Sequence, residues 1–287
     1  MNNVESSASP VADEISDGGS FARALRALRG ISARELSKFF RQYGRLGSAI
    51  VRPALWLIVF AAGMGNLFGI SPIEPYSTYI VYREYIVPGL VGVVLLFNGM
   101  QSSLSLVYDR EVGTMRLLLT APLPRWFLLF CKLIAGTLLS LVQAYAFLAV
   151  AYLAGVHVPL TGWLYMLPAV LLAGFLLGSI GLLLSVYVRQ LENFAGTMNF
   201  VIFPMFFLSS ALYPLWRLRE SGAEYLYWIS SVNPFHHAVE LIRFAAYGKL
   251  NTTSLAVVVG TAIVCFALAV IAYDPQRGLI RRRRAYN

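Results

Sequence analysis

The chain has 287 residues, 58% hydrophobic and only 13% charged, with a formal charge of +9 from 23 Lys and Arg against 14 Asp and Glu. A soluble domain carries about 45–50% apolar and about 25% charged residues, so this composition excludes a soluble enzyme, a disordered scaffold and a collagen-like fibre. The basic residues sit at the edges of apolar runs, where they act as topology signals and lipid contacts and form no groove for nucleic acid.

Residues 1–20 hold Glu5, Asp13, Glu14 and Asp17 with no apolar run behind a basic start, which reads as a disordered cytoplasmic tail. In residues 21–48, Phe21, Leu25 and Leu28, then Leu36, Phe39, Phe40 and Tyr43, recur at helical spacing with arginines between them. That pattern predicts an amphipathic helix lying flat on the cytoplasmic leaflet. Gly30 should interrupt it, Ser32 and Glu35 should cap its continuation, and the chain should turn into the bilayer near Pro53.

A spanning helix needs about 20 mainly apolar residues. Six segments within the transmembrane region 49–273 meet that need, at about 49–70, 85–108, 126–155, 163–188, 194–214 and 254–273. The predicted fold class is therefore all-α and membrane-integral. Residues 215–248 carry Arg217, Arg219, Glu220, Glu224, Glu240 and Arg243, too many charges to span, since each costs about 2.5–3.5 kcal/mol at the bilayer centre. They are predicted to form an external helical hairpin anchored by Trp216, Tyr225, Tyr227 and Trp228 before the last span. Residues 274–287 form a basic cytoplasmic tail. With both termini inside, 17 Lys and Arg lie on the cytoplasmic side and 5 outside, whereas the opposite orientation inverts the ratio.

The spans look built for passage or packing. No phosphate-binding glycine loop is present, so nucleotide is not expected to bind this chain, and Cys131 and Cys265 read as small buried hydrophobes. No Asp or Glu lies centrally in a span, and Lys132 is placed to snorkel to the cytoplasmic interface. Asn98, Gln101, Gln143 and Asn199 are the polar residues within spans, and they either bond between helices or line a substrate path. Gly174, Gly178, Gly181 and Ser185 form a small-residue stripe for close helix packing.

Between the second and third spans, residues 109–125 read Asp-Arg-Glu-Val-Gly-Thr-Met-Arg-Leu-Leu-Leu-Thr-Ala-Pro-Leu-Pro-Arg. Gly113 allows a turn, Thr114 caps a short helix over 115–119, and Pro122 and Pro124 stop it. Arg116 projects from this knob, with Leu118 and Leu119 available for docking.

This segment resembles that of type 2 ATP-binding-cassette exporter permeases of the bacterial, drug-exporter-like branch. The run Asn233-Pro234-Phe-His-His-Ala-Val-Glu240-Leu-Ile-Arg243 is similar to that family's outer segment before the last span, and Tyr82-Arg-Glu-Tyr-Ile-Val-Pro-Gly89 is similar to its entry into the second. The resemblance implies a homodimer in the bacterial inner membrane, coupled to a separate cytoplasmic ATPase subunit that binds the ATP and magnesium. It makes residues 109–125 a coupling helix, in which Glu111, Gly113, Thr114, Arg116 and Pro122 match the docking segment; Arg116 stands where the family often has an acidic residue. An ion-coupled carrier is the alternative reading, and an assembly subunit or membrane enzyme the third.

Overall fold

The computed structural model describes residues 25, 26, 28–30, 32–34, 37, 43–64, 69–70, 74–76, 80–112, 124–156, 158–188 and 190–273. The tail 1–20, the knob 113–123 and the tail 274–287 lie outside them. So does most of the amphipathic face expected in 21–48. Gly30, expected as a break, is itself helical, and a single glycine in a helix costs only about 1 kcal/mol.

The elements in order are α1 (Tyr43–Met64), β1 (Gly69–Ile70), β2 (Ile80–Val81), α2 (Tyr82–Val112), α3 (Arg125–Leu153), α4 (Leu160–Tyr187), α5 (Leu191–Phe207), α6 (Trp216–Glu220), α7 (Glu224–Val232), α8 (Pro234–Ala246) and α9 (Thr252–Ala272). The strands form one antiparallel ladder with Gly69 opposite Val81 and Ile70 opposite Ile80.

Four of these helices, α2, α3, α4 and α9, are long and apolar enough to cross a membrane. Their surroundings point the same way. α9 has the highest mean hydropathy, 2.8, yet only 17% of its apolar stretch is buried within the protein; α2, at 1.7, is 72% buried. Ile263, Val264, Leu268 and Ile271 of α9 face outward. An element that is most apolar where least covered by protein is solvated by lipid, not by water.

The other two expected spans come out differently. α1 runs unbroken through Pro53 from Tyr43, so the chain does not turn there, and its apolar part is only Val51–Phe60. A proline is tolerated where neighbours support the helix, and here Pro53 is buried and the Arg52 guanidinium lies 4.3 Å from the centroid of Phe97 on α2. Residues 69–70, assigned to the first span by hydropathy, are strand. α5 stops at Phe207 after 17 residues, seven short of the expected end at 214. α2 continues past 108 to Val112, because no breaker precedes Gly113, and this makes Asp109 and Glu111 helical.

The core forms where α2 meets α4. Cβ atoms added at Gly99 and Gly181 would lie 2.9 Å from Gly178 N and 2.6 Å from Ser103 Oγ, so these backbones touch. The small-residue stripe serves two neighbours: Gly181 admits α2, while Gly174 and Gly178 lie against Thr137 and Leu133 of α3. Cys131 is buried, Cys265 half-buried, and both are free thiols.

Candidate functional site

The chain between α5 and α6 is apolar and buried but not helical. Ser209 and Ala211 are fully enclosed, and Ser210 and Leu212 nearly so. Bare peptide groups at that depth each cost several kcal/mol. Side chains from two other helices answer several of them. Tyr82 Oη donates to Leu212 O at 2.7 Å and Tyr85 Oη to Ser210 O at 3.0 Å, both from the first turn of α2. Arg243 of α8 donates from Nη2 to Ser210 O at 2.7 Å. Asn233 uses its two amide hydrogens on Met205 O and Leu208 O, at 2.7 and 2.6 Å, and its Oδ1 caps α8 by accepting from Phe235 N. Asn233 therefore closes the end of one helix and opens another, and Pro234 follows at the first helical position, where a missing N–H costs nothing.

Arg243 is 2% exposed and lies 4.1 Å from the centroid of the Tyr85 ring. It pairs with Glu240 one turn earlier on α8, and Glu240 also accepts from Ser210 Oγ at 2.6 Å. Burial opposes the guanidinium's charge, but Glu240, with Tyr85 and Tyr76 nearby, more than reverses that and raises its pKa. Ser210 gives its one proton to Glu240, so His236 Nδ1, 2.9 Å from Ser210 Oγ, is the donor of that pair. Burial pushes the His236 pKa down to about 4 against the pull of Glu240, with His237 and Arg243 adding to the fall. These groups line a cleft of about 450 Å³ shared with Tyr76, Trp216 and Tyr227. The hairpin over it, α6 to α8, turns at Gly222 with φ +77°. Tyr225 and Trp228 project outward from it, while Arg217 and Arg219 cover Trp216 and Tyr227 at 4.8 and 4.1 Å.

Toward the opposite end, a second cleft of about 260 Å³ opens between α1, α2 and α5. Asn98, Gln101 and Asn199 line it together, with Arg52 and Phe97 on its wall; Gln143 of α3 does not. Among the described residues, Asn98 Nδ2 and Gln143 Oε1 are enclosed without a hydrogen-bond partner. The cleft is thus a polar notch in an apolar wall, beside the exposed Phe200 and Phe203 of α5.

At the far end of α2, Lys132 does not snorkel: its Nζ pairs with the Asp109 carboxylate, both side chains about nine-tenths buried. Two residues on, Glu111 Oε1 accepts from Leu191 N at 2.9 Å. Gly113, Thr114, Arg116, Leu118 and Pro122 lie outside the described residues.

Sequence reasoning singled out Asn233, Pro234, Glu240 and Arg243 only as a similar segment. It placed Tyr82 and Tyr85 in another such segment without a role, and it did not find Ser210 or the Asp109–Lys132 pair. The signal available was the Ser209–Ser210 pair and Pro214 inside an apolar run, marking a place where a helix has to stop.

Lipid-facing apolar helices around a buried, hydrogen-bonded turn define a multi-pass membrane protein with polar clefts at two depths. Residues 26–247 match the model of the ABC-2 type transporter family, and the chain belongs to that family. It is 28% identical over 223 residues to a putative transport permease, ycf38, of Porphyra purpurea, covering 77% of this chain and 74% of that one. It is 24% identical over 243 residues to the inner membrane transport permease YadH of Escherichia coli K12, covering 83% and 89%. A probable multidrug ABC transporter permease, YbhR, of the same organism is 27% identical over 171 residues, 58% of this chain and 45% of its own. Proteins of this family are transport components, and they normally pair with an ATP-binding-cassette subunit.

Proposed function

We propose that the chain is the membrane subunit of an ATP-driven exporter in a bacterial inner membrane, working as a homodimer with both termini cytoplasmic. α1 and α5 complete six spans with the four long helices. The segment 113–123 docks on a separate ATPase through Gly113, Thr114, Arg116, Leu118 and Pro122, and the ATPase holds the ATP and magnesium. The substrate passes the cleft of Asn98, Gln101 and Asn199.

The observation that carries this reading is the match over residues 26–247, joined to two buried ion pairs among the described residues. Asp109 pairs with Lys132 and Glu240 with Arg243. An ion-coupled carrier needs an ionisable group near the midplane that is free to load and release its ion. Energy must then come from a partner that binds two states of this chain unequally.

The test is reconstitution with an ATP-binding-cassette ATPase, sought first in a neighbouring reading frame. The chain alone should hydrolyse no ATP, and a fluorescent amphiphile should move across the bilayer only with partner and nucleotide present. Leu118→Asp should abolish ATPase capture while the protein still inserts. Uptake driven by a proton or sodium gradient in vesicles lacking the ATPase would overturn the reading.

A further inference from the structure

We infer that Asp109, Lys132 and Glu111 form a mechanical joint that carries displacement of the segment 113–123 into α5, and so to the cleft beside Asn199. The inference rests on the exporter reading and assigns Glu111 a task inside its own chain instead of on the ATPase surface.

The segment leaves α2 after Val112 and re-enters the body at α3, which begins at Arg125. Asp109 stands in the last turn of α2 and Lys132 about two turns into α3, and their buried pair ties the two flanks together. A push on the segment therefore moves both helix ends as one body. A buried pair of this kind is a weak source of net stability but a strong constraint on register, since neither charge can be left alone there.

Glu111 lies two residues beyond Asp109, about 200° around the helix, so the two carboxylates address opposite neighbours. One holds α3; the other reaches α5 at Leu191 N, 2.9 Å away. α5 has no cap of its own, because Gln190 at its N-cap position makes no side-chain capping bond. Glu111 supplies that bond from another helix, with its charge at the favourable end of the α5 dipole. Asn199 is eight residues along α5, about 12 Å from Leu191, and Gln101 is ten residues back along α2, about 15 Å from Glu111. Both line the cleft. α2 and α5 are thus pinned at their base and face each other across the cleft above it, so a tilt of the α2 end reaches both walls. These three are positioning residues; none is placed to touch the cargo.

The experiment uses the reconstituted chain with its ATPase, in a Cys131→Ser, Cys265→Ser background carrying Asn199→Cys. The readout is the rate of maleimide labelling at position 199, with and without ATP, magnesium and vanadate. With Glu111 present, trapping should change the rate about fivefold or more, the low end of ordinary site-to-site coupling. Glu111→Ala should lose the response. Glu111→Gln should keep it, because a side-chain amide oxygen still accepts from Leu191 N, whereas an ionic contact with the ATPase would not survive the change. The swap Asp109→Lys with Lys132→Asp should keep the response that Asp109→Lys alone loses, separating a joint from a folding defect. A full response in Glu111→Ala, or its loss in Glu111→Gln together with loss of ATPase capture, would overturn the joint alone. No response in the parent complex would overturn the exporter reading with it.

Discussion

Replacing Arg243 with Met keeps much of the side-chain volume and removes one buried charge. The guanidinium gives up its bonds to Ser210 O at 2.7 Å and Ser210 Oγ at 3.2 Å, and its place over the Tyr85 ring. Ser210 O keeps the Tyr85 hydroxyl at 3.0 Å, so its loss is that of an ordinary hydrogen bond, about 1 kcal/mol. The larger effect falls on Glu240, whose side chain is 16% exposed and loses its counter-charge. Stranding one partner of a buried pair costs about 3–5 kcal/mol. Glu240 retains the Ser210 hydroxyl at 2.6 Å, which places it at the low end of that range. The expected destabilisation is about 4 kcal/mol in total. Adding Glu240→Gln removes the stranded charge, so the double variant should recover about 2 kcal/mol relative to Arg243→Met. SDS-driven unfolding from mild micelles, followed through the fluorescence of Trp216 and Trp228, measures all four corners of the cycle. A single variant within about 1 kcal/mol of the parent, or a double variant no better than the single, would refute the claim that this charge holds the buried turn.

Two further changes probe the same region. At Gly89 an added Cβ would lie 2.0 Å from Ala211 O and 2.7 Å from Ala211 C, both backbone. Gly89→Ala should therefore displace residues 209–212 and cost at least about 2 kcal/mol in the same assay; a neutral result would show that the turn can retreat without penalty. His236 has its pKa lowered to about 4 in the fold against about 6.5 when unfolded. The unfolded chain thus binds the extra proton between those values, and the stabilising contribution is complete above pH 6.5 and lost as pH falls toward 4. Between pH 7 and pH 5 the loss should be about 2 kcal/mol, and His236→Gln should flatten that slope; an unchanged slope would assign the pH response to another group.

Hydropathy alone located the four long helices, because a lipid-facing helix must be apolar wherever protein does not cover it, and α9 is the clearest instance. It missed at the ends of elements. Residues 208–214, counted into the end of a span, form a turn, and residues 69–70 a strand. Apolar composition reports that a segment is dry, not whether lipid or protein keeps it dry. Asn98, Gln101 and Asn199 stood out as polar residues in greasy runs, and only packing separates them from Gln143 by gathering the three around one cleft.

The amino-acid order by itself determined the solvent of this protein, the positions of its four long apolar helices and the family its segments resemble, since these depend on local composition and spacing. Which irregular stretch is buried, which hydroxyls answer its carbonyls and which helix Glu111 caps were decided by the tertiary fold. Those outcomes join residues 30 to 130 positions apart, and no local pattern encodes a hydrogen bond whose partner arrives from another helix.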